Sequence, residues 1–203
     1  MSCPSCEQCP MPQAWGTPSF DPRKAVEGDP GSPIWVVGLN PKTNSDDHTS
    51  GGINPMTWEN PTIGAPHFER LREVLGPYAP QLLQPNGIAH TDLVKCGSPS
   101  YGDTEKNAAA HCKDFLIEQL KTHKPRLLLI VSSDASRLVQ EAAGIPEDHT
   151  DGEWHFGGDT KDVCKVIFSG YCGPLMERFA KLRLARDFQR IAGELNLFPT
   201  KPE

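Results

Sequence analysis

The sequence predicts a three-layer α/β/α domain built on a central, mainly parallel four-stranded sheet. Short apolar runs closed by glycine or proline alternate with longer segments whose apolar residues recur at helical spacing. Such alternation is the pattern of strand–helix–strand units, with both faces of the sheet covered and ligand chemistry at the carboxyl ends of the strands. At 203 residues the chain is long enough for one domain with a substantial core, so a second domain is not required.

The elements follow in order. Residues 1–32 are rich in Pro, Gly and Cys without periodicity, and read as an irregular arm that must be tied down; residues 33–203 read as the single folded domain. Residues 33–41 form an apolar run ended by Gly38 and Pro41, a buried first strand leading into a long polar loop from Asn40 to Pro66. Phe68, Leu71 and Leu75 stand at i, i+3 and i+7 before Gly76, which predicts a helix over 66–75 with a glycine stop. A second strand is expected over 87–95. Asp103 can cap a long helix that shows Ala108, Cys112, Phe115, Leu116 and Leu120 on one face. A third strand over 126–132 and a helix over 134–143 follow. After a stretch around Trp154 with weak pattern, a fourth strand is expected over 162–168 and a last helix over 174–195.

Composition excludes several functions. The formal charge of -6 argues against coating nucleic acid by bulk electrostatics and confines any DNA contact to a patch. The longest wholly apolar run is Leu127–Val131, too short for a membrane span, and the first thirty residues show no secretory pattern. A cytoplasmic protein is expected. Seven cysteines, an odd number, fit metal ligation in that reducing compartment better than a disulfide framework.

Three strand-to-loop junctions carry the chemical signal: Gly38-Leu39-Asn40-Pro41, Thr91-Asp92-Leu93-Val94-Lys95-Cys96, and Ser169-Gly170-Tyr171-Cys172-Gly173-Pro174-Leu175. Each alone is an ordinary turn signal. Together, in this order, they resemble the uracil-DNA glycosylase superfamily over about residues 6–195. The second segment, followed after fifteen residues by Cys112, is similar to the iron-sulfur branch; the first is similar to the Gly-Ile-Asn-Pro motif of the mismatch-specific and thymine-DNA glycosylases.

That resemblance implies a monofunctional DNA glycosylase, which turns a damaged nucleotide out of the duplex and hydrolyses its N-glycosidic bond. It needs neither a catalytic metal nor a lysine Schiff base. Asn40 aligns with the family's water-holding asparagine, and Gly38, Leu39 and Asp92 fall around the base pocket. His48, His67 and His90 lie on or near that site and Phe68 could stack on the base, with a surface or packing role as the alternative for each. The family's usual leaving-group histidine is missing from the 171–175 loop, so Tyr171 or backbone N–H groups would donate to the departing base. Leu175, with Gly173 and Pro174, falls where the family inserts an apolar wedge into the base stack, or else Leu175 begins the last helix. Ser132 and neighbouring serines could hold phosphates, and Arg183, Arg186 and Arg190 form a basic stripe on the last helix.

Two departures bear on the base. Asp92 replaces an amide that in the family reads uracil, and an ionised carboxylate can accept but not donate. It suits an exocyclic amino group such as cytosine N4, or, protonated, a carbonyl. Lys42 stands where strict uracil enzymes place a tyrosine against C5 substituents. The expected base is therefore a C5-modified cytosine or uracil, such as hypermodified phage cytosine, in a repair or antiphage setting, with plain uracil as the conservative alternative. The rival readings are a non-catalytic DNA- or damaged-base-binding member of the same fold and a zinc-clamped nucleotide hydrolase.

The resemblance also implies a structural 4Fe-4S cluster held by Cys6, Cys9, Cys96 and Cys112, with Cys3 as an alternative ligand. Four thiolates also suit tetrahedral zinc, so structural zinc is the alternative. DNA is the expected partner, and a monomer without a membrane or obligate protein partner is expected.

Overall fold

The computed structural model describes residues 22–39, 66–95, 103–156, 162–172 and 175–197. Strand β1 (Ile34–Gly38) is followed by helix α1 (Pro66–Leu75), a 3₁₀ segment (Gly76–Gln81), β2 (Ala89–Asp92), α2 (Asp103–His123), β3 (Leu127–Val131), α3 (Ser133–Ala143), β4 (Asp151–His155), β5 (Val163–Ser169) and α4 (Arg178–Glu194). The sheet order is β2-β1-β3-β5-β4. Pairings β1–β2, β1–β3 and β3–β5 are parallel, and β4 runs antiparallel to β5.

Strands β1 and β3 are buried at every position, which requires apolar side chains on both faces of the pleat. Their alternation builds two cores. Ile34 and Val36 pack with Phe68, Leu71 and Val74 of α1 and with Leu184, Phe188 and Ile191 of α4. Trp35 and Val37 pack on the other face with Leu116 and Leu120 of α2 and Ala135 and Val139 of α3. Helix α1 stops at Gly76, whose φ of +56° is left-handed; a Cβ there would lie 2.4 Å from Nε2 of Gln189, which donates to the Val74 carbonyl.

The three-layer architecture is as expected, but the sheet among the described residues has five strands, not four. The added strand, Asp151–His155, lies at an edge and buries only Trp154, so its sequence shows no apolar run. Strand β2 is shorter than the expected 87–95, although its contact with β1 continues beyond the ladder: Leu93 N–H donates to the Gly38 carbonyl and Val94 N–H to that of Leu39. The last helix begins at Arg178, capped by the Glu177 carboxylate accepting from Ala180 N–H at 2.9 Å. Leu175 lies ahead of that cap, which removes the reading that it begins the helix. Asp103 is the first helical residue of α2 instead of its cap.

The arm contributes directly to the fold. Glu27 and His90 exchange backbone hydrogen bonds of 2.8 and 2.9 Å, so the chain before β1 covers the outer edge of β2.

Candidate functional site

The carboxyl ends of β1 and β2 meet where Gly38 pairs in register with Asp92. Side chains two residues apart on a strand share a face, so His90 and Asp92 project to the side of the sheet on which α1 lies. Glycine is required at position 38: a Cβ there would stand 2.2 Å from Oδ1 of Asp92 and 3.3 Å from Nε2 of His90. The Phe68 ring closes the inner side, meeting the His90 ring edge-on at a centroid distance of 5.3 Å. Nδ1 of His90 lies 3.2 Å from Oε2 of Glu27.

The electrostatics follow from this enclosure. Desolvation raises the Asp92 carboxyl to about 6, with Glu27 pushing the same way and the His90 and Lys95 charges opposing. Burial by itself would lower the His90 pKa, but the Asp92 and Glu27 carboxylates outweigh it and the net direction is upward. The site thus places an imidazole between two carboxyl groups, one of which burial raises to about 6.

Behind His90 and Asp92, on the opposite face of β2, lies a buried polar network that the sequence reading missed. Lys95 is buried, and its ammonium donates to Thr91 Oγ1 at 2.7 Å and to Gln119 Oε1 at 2.6 Å. Thr91 donates to the Ala25 carbonyl at 2.6 Å, and the Gln119 amide to the Arg23 carbonyl at 3.0 Å. The network fastens the arm to β2 and α2. A lysine closing the apolar segment after β2 was the signal available, because a buried ammonium requires acceptors.

The third junction lies at the end of β5. Tyr171 is 56% exposed, and desolvation together with the neighbouring Cys172 raises its pKa, so the phenol stays protonated as a donor. Cys172 itself is turned into the core and burial pushes its thiol up to about 11, the opposite of an activated nucleophile. Leu175 is 95% exposed and Phe179 69%, with Leu182 also exposed, so an apolar ridge runs from the junction along α4. Ser132 is 2% exposed and caps α3, accepting from Ala135 N–H at 3.3 Å; its hydroxyl faces the helix end, while Ser133 beside it is exposed. In the expected basic stripe, Arg186 pairs with Asp187 and Arg190 with Glu194.

Asn40, Lys42, His48, Cys3, Cys6, Cys9, Cys96, Gly173 and Pro174 lie outside the described residues, as does the side chain of His67. Leu39 is partly buried, and its carbonyl is fixed by Val94 N–H at 2.8 Å, so the chain enters position 40 from a hydrogen-bonded residue. Cys112 is buried on α2, close enough to Lys95 for the ammonium and the thiol to interact electrostatically.

The family model described as the uracil DNA glycosylase superfamily matches residues 25–192. The chain belongs to the uracil-DNA glycosylase superfamily. No individual curated protein matches it significantly. The superfamily match begins inside the arm and takes in Glu27 and His90 as well as all three junctions. Members of this superfamily are typically DNA glycosylases, so DNA is the substrate class the family brings with it. Among the described residues no helix is long and apolar enough to cross a membrane.

Proposed function

We propose that this chain is a monofunctional DNA glycosylase whose preferred base is a pyrimidine modified at C5, a cytosine in the first place. The reading is carried by the Asp92 carboxyl, held against Gly38 at the carboxyl end of the sheet within the superfamily match. There it would meet position 4 of an extruded pyrimidine. As an anion it accepts from the N4 amino group of cytosine and repels the O4 of uracil.

In the reaction the bond from C1′ to the base breaks through an oxocarbenium-like state, and water adds to C1′. Asn40 would accept a hydrogen bond from that water and orient it, without efficiently taking its proton. The protonated Tyr171 phenol would donate to the base as negative charge develops on it. Leu175, exposed ahead of α4, would enter the space the base vacates.

A structural cluster held by Cys6, Cys9, Cys96 and Cys112 is part of the proposal, with Cys3 as alternative ligand and zinc as alternative metal. The described ligand suits it: Cys112 is buried on α2 beside the Lys95 ammonium, whose charge would offset part of the negative charge of a thiolate-bound cluster. A bound cluster would supply a covalent clamp between arm, β2 and α2, and no step of base release passes through it. A brown protein absorbing near 400 nm supports the iron-sulfur form; stoichiometric zinc in a colourless protein replaces it.

The rival is a member of the fold that binds a base without cutting, favoured by the missing histidine in the 171–175 loop. Duplex and single-stranded oligonucleotides carrying uracil, 5-hydroxymethyluracil, 5-hydroxymethylcytosine or a glucosylated cytosine, scored for alkali-labile sites, decide. Release of a modified cytosine supports the proposal, release of uracil alone removes the C5 and cytosine preference, and binding without release selects the rival.

A further inference from the structure

We propose that His90 is a positioning residue for specificity: fixed by Glu27 and facing Asp92, it sets whether the carboxyl offers the base an acceptor or a donor. The proposal rests on the glycosylase reading above and adds to it a device that selects between 4-amino and 4-carbonyl pyrimidines.

The geometry is a line of three side chains from three places in the chain. Glu27 comes from the arm, pinned by its backbone pair with His90, and its Oε2 lies 3.2 Å from Nδ1 of the imidazole. The opposite nitrogen, Nε2, and Asp92 Oδ1 lie 3.3 and 2.2 Å from one point, the Cβ position that Gly38 lacks, so both converge on the space that the carboxyl fills. Phe68 packs on the ring and fixes its plane. The charged groups that act on His90 among the described residues are Asp92, Glu27 and Lys95.

One proton serves this line in two arrangements. With the proton on Nε2, His90 is an imidazolium that donates to Glu27 and stands against an Asp92 carboxylate, which accepts from an exocyclic amino group. When Nε2 gives up its proton and Asp92 takes one up, Nδ1–H still donates to Glu27, Nε2 keeps its lone pair, and the carboxylic acid can donate to O4 of a uracil-type base. Glu27 holds the ring in either arrangement. An asparagine in place of Asp92, as in the family pattern, has no titrating proton and would not need this partner.

His90→Gln and Glu27→Gln are compared with the wild-type chain on two substrates that share the C5 group and differ at position 4, 5-hydroxymethylcytosine and 5-hydroxymethyluracil, between pH 5 and 9. In the wild type the release ratio of the 4-amino over the 4-carbonyl base rises with pH through the titration of Asp92. Without the cation of His90 the carboxyl holds its proton to higher pH, so the midpoint moves up and the ratio at pH 7 falls by about tenfold per unit moved. Superimposable profiles overturn the proposal, because a merely structural histidine would change rates without moving the midpoint. Imidazole titration by NMR on the free protein supplies a readout independent of activity. The His90 pKa falls in Asp92→Asn and in Glu27→Gln, and an unchanged titration in both overturns the coupling. If neither base is released by the wild type, the glycosylase reading fails, and the NMR titration still decides whether Glu27, His90 and Asp92 share charge.

Discussion

The carboxyl of Asp92 occupies the space that a side chain at position 38 would fill, its Oδ1 2.2 Å from the Cβ that Gly38 lacks. Two parallel strands in register bring these residues side by side, and glycine lets the carboxyl lie against the backbone that leads into Asn40. Gly38→Ala therefore drives the carboxyl out of its seat. The expected outcome is loss of base release by about a hundredfold or more, since displacements of an ångström in a site have effects of that order. The overpacking should cost about 1–3 kcal/mol. Parallel activity and thermal-unfolding measurements check this, and full activity in the Gly38→Ala variant contradicts the placement of Asp92 at the base.

Asp92 also gives stability a pH dependence of known sign. Its folded pKa of about 6 lies above the ordinary 3.8, so its contribution is fully present below pH 3.8 and is lost as pH rises through about 6. His90, whose pKa moves up from 6.5, is protonated in folded and unfolded chains over most of that window and adds little to the slope there. Asp92→Asn should flatten the decline between pH 4 and 6 and gain on the order of 2 kcal/mol at pH 7, a value reduced for partial solvent screening. Denaturant unfolding at several pH values tests it, and parallel curves for the two proteins would refute it.

Gln119 links the arm to the sheet through the Lys95 ammonium and the Arg23 carbonyl. Gln119→Leu removes an acceptor from a buried cation and should destabilise by about 2–3 kcal/mol. Hydrogen exchange is expected to speed up first over residues 23–27, where the network holds the arm.

The exposed ridge of Leu175 and Phe179 contributes little to the folded chain. Leu175→Ala and Phe179→Ala should leave unfolding within about 0.5 kcal/mol of the wild type. DNA affinity should fall by about tenfold for Leu175→Ala if one apolar contact with the base stack is lost. Fluorescence anisotropy with a labelled duplex measures the loss.

Metal content separates two buried cysteines. On the proposed cluster, Cys112→Ser should lose the metal and, in the iron-sulfur form, the absorbance near 400 nm, whereas Cys164→Ser should keep both. Cys164 lies in the core with Trp154 and Val166, and burial raises its thiol far above its ordinary pKa.

The sequence by itself determined the layers of this protein, the central strands and the family. Strands buried on both faces must be apolar throughout, as in β1 and β3, and Gly76 had to stop α1 because the left-handed turn there disfavours any other residue. The edge strand Asp151–His155 was hidden because one buried residue in five leaves no pattern to read. The Gly38, Asp92 and Tyr171 junctions were legible as motifs, since their order along the chain is a local property. Tertiary structure alone decided that Glu27, sixty-three residues before His90, supplies its carboxylate partner, and that Lys95 is held by Gln119. Charge coupling depends on distance through space and on desolvation, and chain spacing records neither.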